Sequence, residues 1–283
     1  MKLFFLLLCG LFLLSPAAWA DSIAELAILQ AFFSPQGLES RSTQLTGVAL
    51  EEFSRQPVAG EYLPSNATTE FRLVIEDEIS AIYEVVVSID DHAQMWSAFF
   101  LRGPLGSKLS GIKSLNIPPY LFDVEYQRLR GLKERSAIQE TRFLQLQRLF
   151  MTTAAFKEYF TQNQAAYEKI ARLVETGEDS AAQAAARSAA LVGVRLYGAS
   201  KSEGEMALLV NSAAGNAGQK KSTLGSELRF SGFLDNVFGL LHLPPEVSPP
   251  VMTLHDYIFV EALADRWFLF RNIAAEPLKE KSE

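Results

Sequence analysis

Residues 253–272 read TLHDYIFVEALADRWFLFRN, and how this stretch is taken decides the fold. Thr253 with Asp256 makes a capping box, and the residues from Tyr257 to Phe270 are apolar on nearly every side. As a helix running to about Asn272, such a segment belongs among other helices. That reading places Glu261 and Asp265 one turn apart, on the face of Leu254 and Ile258. Like charges at this spacing cost about 0.2–0.5 kcal/mol when solvated, and more when buried unpaired. They need water or a cation such as Arg195, Arg229 or Arg266, and a buried carboxylate pair can bind a cation or move a proton. His255 and Arg266 share a neighbouring face, so His255, Glu261, Asp265 and Arg266 are the candidate binding residues.

The segments before this one extend the helical pattern. A helix over about 226–241 stops at Pro244-Pro245, and Ser202 with Glu205 caps a short helix through Ala214, followed by a polar loop around Gly215–Lys221. Asp179-Ser180 opens an alanine-rich helix (AAQAAARSAALVGVRLY). Between Gly131 and Gly177 there is neither glycine nor proline. Leu146, Leu149, Phe156, Phe160, Tyr167, Ile170 and Val174 recur there at steps of three and four, which predicts one long helix, or two bent near Thr152-Thr153, laying a stripe on partner helices.

The β signal lies upstream. Phe71, Leu73, Ile75, Ile79, Ala81, Tyr83, Val85, Val87 and Ile89 alternate, all at odd positions. A single strand of that length is too long, so a hairpin turning at Glu76-Asp77-Glu78 is expected. A three-residue loop keeps one apolar face, pairing Ile75 with Ala81, Leu73 with Tyr83 and Phe71 with Val85. A lone hairpin is unstable, so further strands from residues 40–63 or a covering helix must complete it. Residues 21–33 supply an amphipathic helix, and the Gly/Pro/Ser-rich stretch 103–122 is the expected boundary between two portions.

Met1–Ala20 has the layout of a secretory signal peptide: Lys2, the apolar run Leu3–Leu14, Ser15-Pro16, then an A-x-A box at Ala18-Trp19-Ala20. Cleavage after Ala20 removes the only cysteine, Cys9, and takes the formal charge from −7 to −8 by removing Lys2. A cysteine-free exported body cannot use disulfides, thiolate catalysis or Cys-ligated metals. The alternative is membrane attachment through an uncleaved leader or an acylated Cys9.

The 283 residues are 48% hydrophobic and 21% charged, which excludes a disordered chain, and the acidic balance argues against nucleic acid as partner. No phosphate loop, dinucleotide fingerprint, nucleophile elbow or clustered histidines occur, so no cofactor and no metal are expected. Ser110-Gly111-Ile112-Lys113 matches S-x-x-K but lacks the companion motifs of that chemistry.

The sequence therefore predicts an α+β but predominantly α protein. A signal peptide (1–20) precedes an α+β portion (21–122) carrying the hairpin at about 71–89, and a multi-helix bundle (123–283) follows. The expected function is that of a periplasmic, non-enzymatic binding or assembly protein of the bacterial envelope, with a partner protein or an apolar ligand. The alternative is an envelope hydrolase using Glu261 and Asp265, or Ser110 and Lys113.

Overall fold

A computed structural model describes residues 16–90, 92–115, 119–198, 224–233 and 236–273; the expected leader through Ser15, with Cys9, and the expected capping box at Ser202 lie outside them. The chain divides into two compact units, Met1–Lys113 and Ser114–Glu283, and the division falls inside the 103–122 stretch.

In the first unit, α1 (Pro16–Phe32) precedes two short helices, α2 (Arg41–Gln44) and α3 (Gly47–Phe53), and a 3-10 turn at Ala59–Tyr62. Four strands follow in a meander, β1 (Thr68–Glu76), β2 (Ser80–Ile89), β3 (His92–Leu101) and β4 (Lys108–Ser114), paired in that order. The strands that complete the hairpin thus come from 92–114 and not from 40–63. Ile28, Leu29 and Phe32 of α1, and Phe33 just after it, pack on Tyr83, Val85, Val87, Ala98 and Phe100. Each fully buried large side chain contributes about 1.5–3 kcal/mol.

Phe71 pairs with Val85 and Leu73 with Tyr83, but a register shift at Val74 sets Ile75 opposite Ile82 and turns it off the expected face. No glycine is needed in the turn, because Asp77 supplies its geometry. Its carboxylate accepts the N–H of Ile79 at 2.9 Å, the N–H of Ser80 at 2.7 Å and the Ser80 hydroxyl at 2.9 Å.

The second unit overturns the expected helical bundle. Four helices, α4 (Pro119–Arg130), α5 (Ala137–Leu149), α6 (Thr153–Thr176) and α7 (Asp179–Ser188), precede five strands: β5 (Gly193–Gly198), β6 (Leu224–Phe233), β7 (Asn236–His242), β8 (Tyr257–Ala264) and β9 (Trp267–Asn272). They form an antiparallel sheet in the order β5-β6-β7-β9-β8. The segment expected to be a helix over 226–241 is the β6–β7 hairpin. The stretch 253–272 is the β8–β9 hairpin, turning at Asp265-Arg266 with Arg266 left-handed (φ 63). The alanine-rich helix stops at Ser188.

The physical reason is burial on both faces. Tyr257, Val260 and Phe270 lie on one side of the sheet, and Phe259, Leu269 and Trp267 on the other; all are buried. Such a strand is a continuous apolar run, which periodicity cannot separate from a buried helix.

The stripe of α6 therefore lies on the sheet. Phe156 meets Phe230 and Phe238 edge-on, both at 5.3 Å, and Phe160 lies 5.5 Å from Trp267. Thr152 caps α6 by accepting from Ala155 N, and Gly177 ends it in the left-handed conformation (φ 77). The outer edge of β8 is closed where Val260 N donates to Met252 Sδ at 3.0 Å. Among the described residues, no helix is long and apolar enough to cross a membrane.

Gly239 marks a close approach: a Cβ there would sit 2.3 Å from the Leu228 carbonyl and 2.9 Å from the Phe270 ring. Gly239→Ala is expected to cost about 1–3 kcal/mol or more, read as a lowered urea midpoint. Gly193→Ala is its control: nothing lies within 4 Å of that position, and its midpoint should move little.

Candidate functional site

The four residues singled out in the sequence do not converge. Glu261 is on β8, facing α6, where Lys157 engages its carboxylate. Asp265 is exposed in the β8–β9 turn, and beside it Arg266 Nε donates to the Leu243 carbonyl at 2.9 Å. His255 is exposed before β8 begins, at the opposite end of that strand. Four residues of a strand replace one turn of helix between Glu261 and Asp265, so they form no carboxylate pair. Arg195 and Arg229, offered as their counter-ions, instead hold Glu227.

Ser110 and Lys113 are also separate. Three apart on β4, they project to opposite faces. The Ser110 hydroxyl donates to the Phe99 carbonyl at 2.9 Å, and Lys113 Nζ lies 2.7 Å from Glu52.

A different pair is assembled at the end of α6. Glu175 and His242 Nδ1 lie 2.6 Å apart, and the imidazole sits 4.7 Å from the Trp267 ring. Ser226 Oγ donates to the same Glu175 oxygen at 3.3 Å. The serine is thus on the carboxylate and not on the free imidazole nitrogen, so the three residues do not make a nucleophile–base–acid relay.

The most organised cluster is in the first unit, where Arg102, just past β3, ties three elements together. Its Nε and Nη2 donate to the two oxygens of Glu25 on α1 at 2.8 and 3.0 Å. Its Nη1 donates to the Asp77 carbonyl at 3.0 Å and lies 2.9 Å from Glu76. Tyr83 donates its hydroxyl to Glu25 at 2.9 Å. Burial alone would push the Glu25 carboxyl up, but the hydrogen bonds from Arg102 and Tyr83 outweigh it and hold the group below its ordinary value. Burial and the adjacent carboxylate push the Tyr83 phenol well above its usual range.

This anchor fixes a tip. In a meander the β1–β2 and β3–β4 turns lie at the same end, and Arg102 N donates to the Ile79 carbonyl at 2.9 Å to join them. Ile79 is 69% exposed, Leu101 52% and Leu105 92%. Ile75, also exposed, extends this apolar surface onto the edge strand β1. Three large aliphatic side chains are thus held in water beside a buried guanidinium. The odd-numbered alternation sets Ile79 on the hairpin's apolar face, and no motif points to Arg102; the Gly103-Pro104-Leu105-Gly106 turn is the local signal beside it.

No protein-family model, curated protein or solved structure matches the chain.

Proposed function

We propose that the chain is exported to the bacterial periplasm and acts there as a non-enzymatic binding or assembly protein, docking a partner protein on the apolar tip of its first sheet. The leader-like start, Met1–Ala20, supports the compartment. The observation that carries the binding reading is the exposure of Ile79, Leu101 and Leu105 on turns made rigid by Arg102. Rigid presentation lowers the ordering cost of association. Asp77 and Glu78, both exposed, border the tip. They favour an apolar partner surface with a basic rim and disfavour an anionic leaflet.

The test is site-specific photocrosslinking from position 105 in cells, with an exposed site on α3 as control. A single envelope protein should be enriched from position 105, and its purified form should bind the wild-type chain. Ile79→Glu with Leu105→Glu should weaken that binding at least tenfold while the melting temperature holds. Equal binding by the double variant, or robust turnover of an ester, peptide or glycan panel by the purified protein, overturns the reading.

A further inference from the structure

On the second sheet, the face turned away from α6 carries a charge cluster that the binding reading does not use. Arg195 on β5 stands directly across from Glu227 on β6, and Arg229 is two residues further along β6 on the same face. Glu227 is fully buried. It accepts from Arg195 Nη2 at 2.9 Å on one oxygen and from Arg229 Nε at 2.5 Å on the other.

One carboxylate thus answers two guanidiniums. Arg195 and Arg229 keep 22% and 26% of their side-chain exposure, so neither is sealed off. Among the described residues, the buried Arg195 Nε donates to no acceptor, and of the Arg229 nitrogens only Nε has a partner. Across from Arg229 on the edge strand is Gly193, with nothing within 4 Å of where a Cβ would be. The cluster therefore has surplus donors, a surplus positive charge and a notch beside them.

Other charges reach the same face. The phenol of Tyr197 is pushed up to about 12 by burial and by the carboxylates of Glu227 and Asp256, and Tyr257 is raised further by burial and Glu227. Both hydroxyls therefore stay neutral near pH 7, and a neutral phenol can donate to an anion without repelling it. Asp256 is occupied with Asn272, and no contact joins it to either arginine.

We propose that Arg195 and Arg229, with the notch at Gly193, bind one oxyanion: a phosphate or carboxylate group, free or on an amphiphile. Guanidinium forks match both groups bidentately. Glu227 acts as the internal competitor that holds the two side chains in register.

Calorimetric titration of the purified chain lacking residues 1–20 tests this with four probes: inorganic phosphate, hexanoate, dihexanoyl phosphatidic acid and zwitterionic dihexanoyl phosphatidylcholine. Saturable binding of an anionic probe, at least tenfold tighter than the zwitterion, is expected. Equal affinity for inorganic phosphate and phosphatidic acid assigns the site to a free anion. Preference for phosphatidic acid or hexanoate assigns it to an amphiphile.

Arg229→Gln leaves the Arg195–Glu227 pair in place and should weaken binding about tenfold or more. Gly193→Val fills the notch with both arginines intact and should weaken it as well, which covers the case that Arg229→Gln fails to fold. Glu227→Gln should tighten binding several-fold by freeing donors, whereas a purely structural cluster would only lose melting temperature. Absence of saturable binding by every anionic probe, or unchanged affinity in both Arg229→Gln and Gly193→Val, overturns the proposal. Neither result bears on the tip of the first unit.

Discussion

Arg102→Ala is expected to destabilise the first unit by about 3–5 kcal/mol at pH 7. The loss does not measure the worth of the ion pair, because a buried pair gains little over a well-packed apolar one. It arises because Glu25 is 0% exposed and would keep its charge without a counter-ion.

The pH dependence separates this cause from lost packing. In the wild-type chain the Glu25 carboxyl is held below its ordinary value of 4.5. Its contribution is therefore present above the unfolded value and is lost as pH falls through the lower folded one. Without Arg102, burial dominates and raises the folded value instead, so the sign reverses. The variant then recovers stability as pH falls from 7 toward 4.5, and the gap to wild type narrows. Adding Glu25→Gln to the variant should restore most of the loss at pH 7, since Gln still accepts from Tyr83 and carries no charge. Urea denaturation at pH 7 and pH 5 measures both effects. A loss under about 1 kcal/mol at pH 7 would show that water reaches Glu25.

Phe230→Ala is the second large effect, at about 3–5 kcal/mol in the second unit. Phe230 is fully buried, 5.3 Å from Phe156, 5.7 Å from Tyr167 and 5.6 Å from Phe238. It also lies 5.0 Å below the guanidinium of Arg148, whose Nη1 and Nη2 hold the carbonyls of Ala190 and Ala189 after α7. Removing the ring opens a cavity and loosens the arginine that closes that helix end. Phe230→Leu should recover a large part of the loss by filling most of the volume. With Trp96→Phe as background, Trp267 is the only tryptophan left in residues 21–283. Its emission then follows unfolding of the second sheet, and coincidence with far-UV circular dichroism checks that the transition is cooperative.

How far the sequence discloses each element follows from where chain segments meet water. β1 alternates because it is a half-exposed edge, and although β2 is buried on both faces, the odd-numbered pattern still carries the Phe71–Val85 and Leu73–Tyr83 pairs. Only the bulge at Val74 escapes, since it leaves no compositional trace. α6 also shows, because one side of Phe156–Val174 is buried and the other is wet. β7, β8 and β9 lose that contrast, and the Asp265-Arg266 turn has no glycine to mark a hairpin. Their density of aromatic and β-branched residues was the signal that favoured strands.

The ion clusters are illegible for another reason. Glu25 and Arg102 are 77 residues apart, and Arg195 and Glu227 are 32 apart, so only the folded sheets bring them together. Glu261 and Asp265 drew attention through a helical spacing that the chain does not adopt.

The order β5-β6-β7-β9-β8 also governs timing. The last described strand lies inside the sheet, and among the described residues β8 pairs with β9 alone. A polypeptide emerging from its N-terminus can build the meander of Thr68–Ser114 early, while β8 waits for Trp267–Asn272 to arrive. Assembly of the second unit is then held back until nearly the whole chain has been delivered, and a molecule cut short before Trp267 loses two ladders at once.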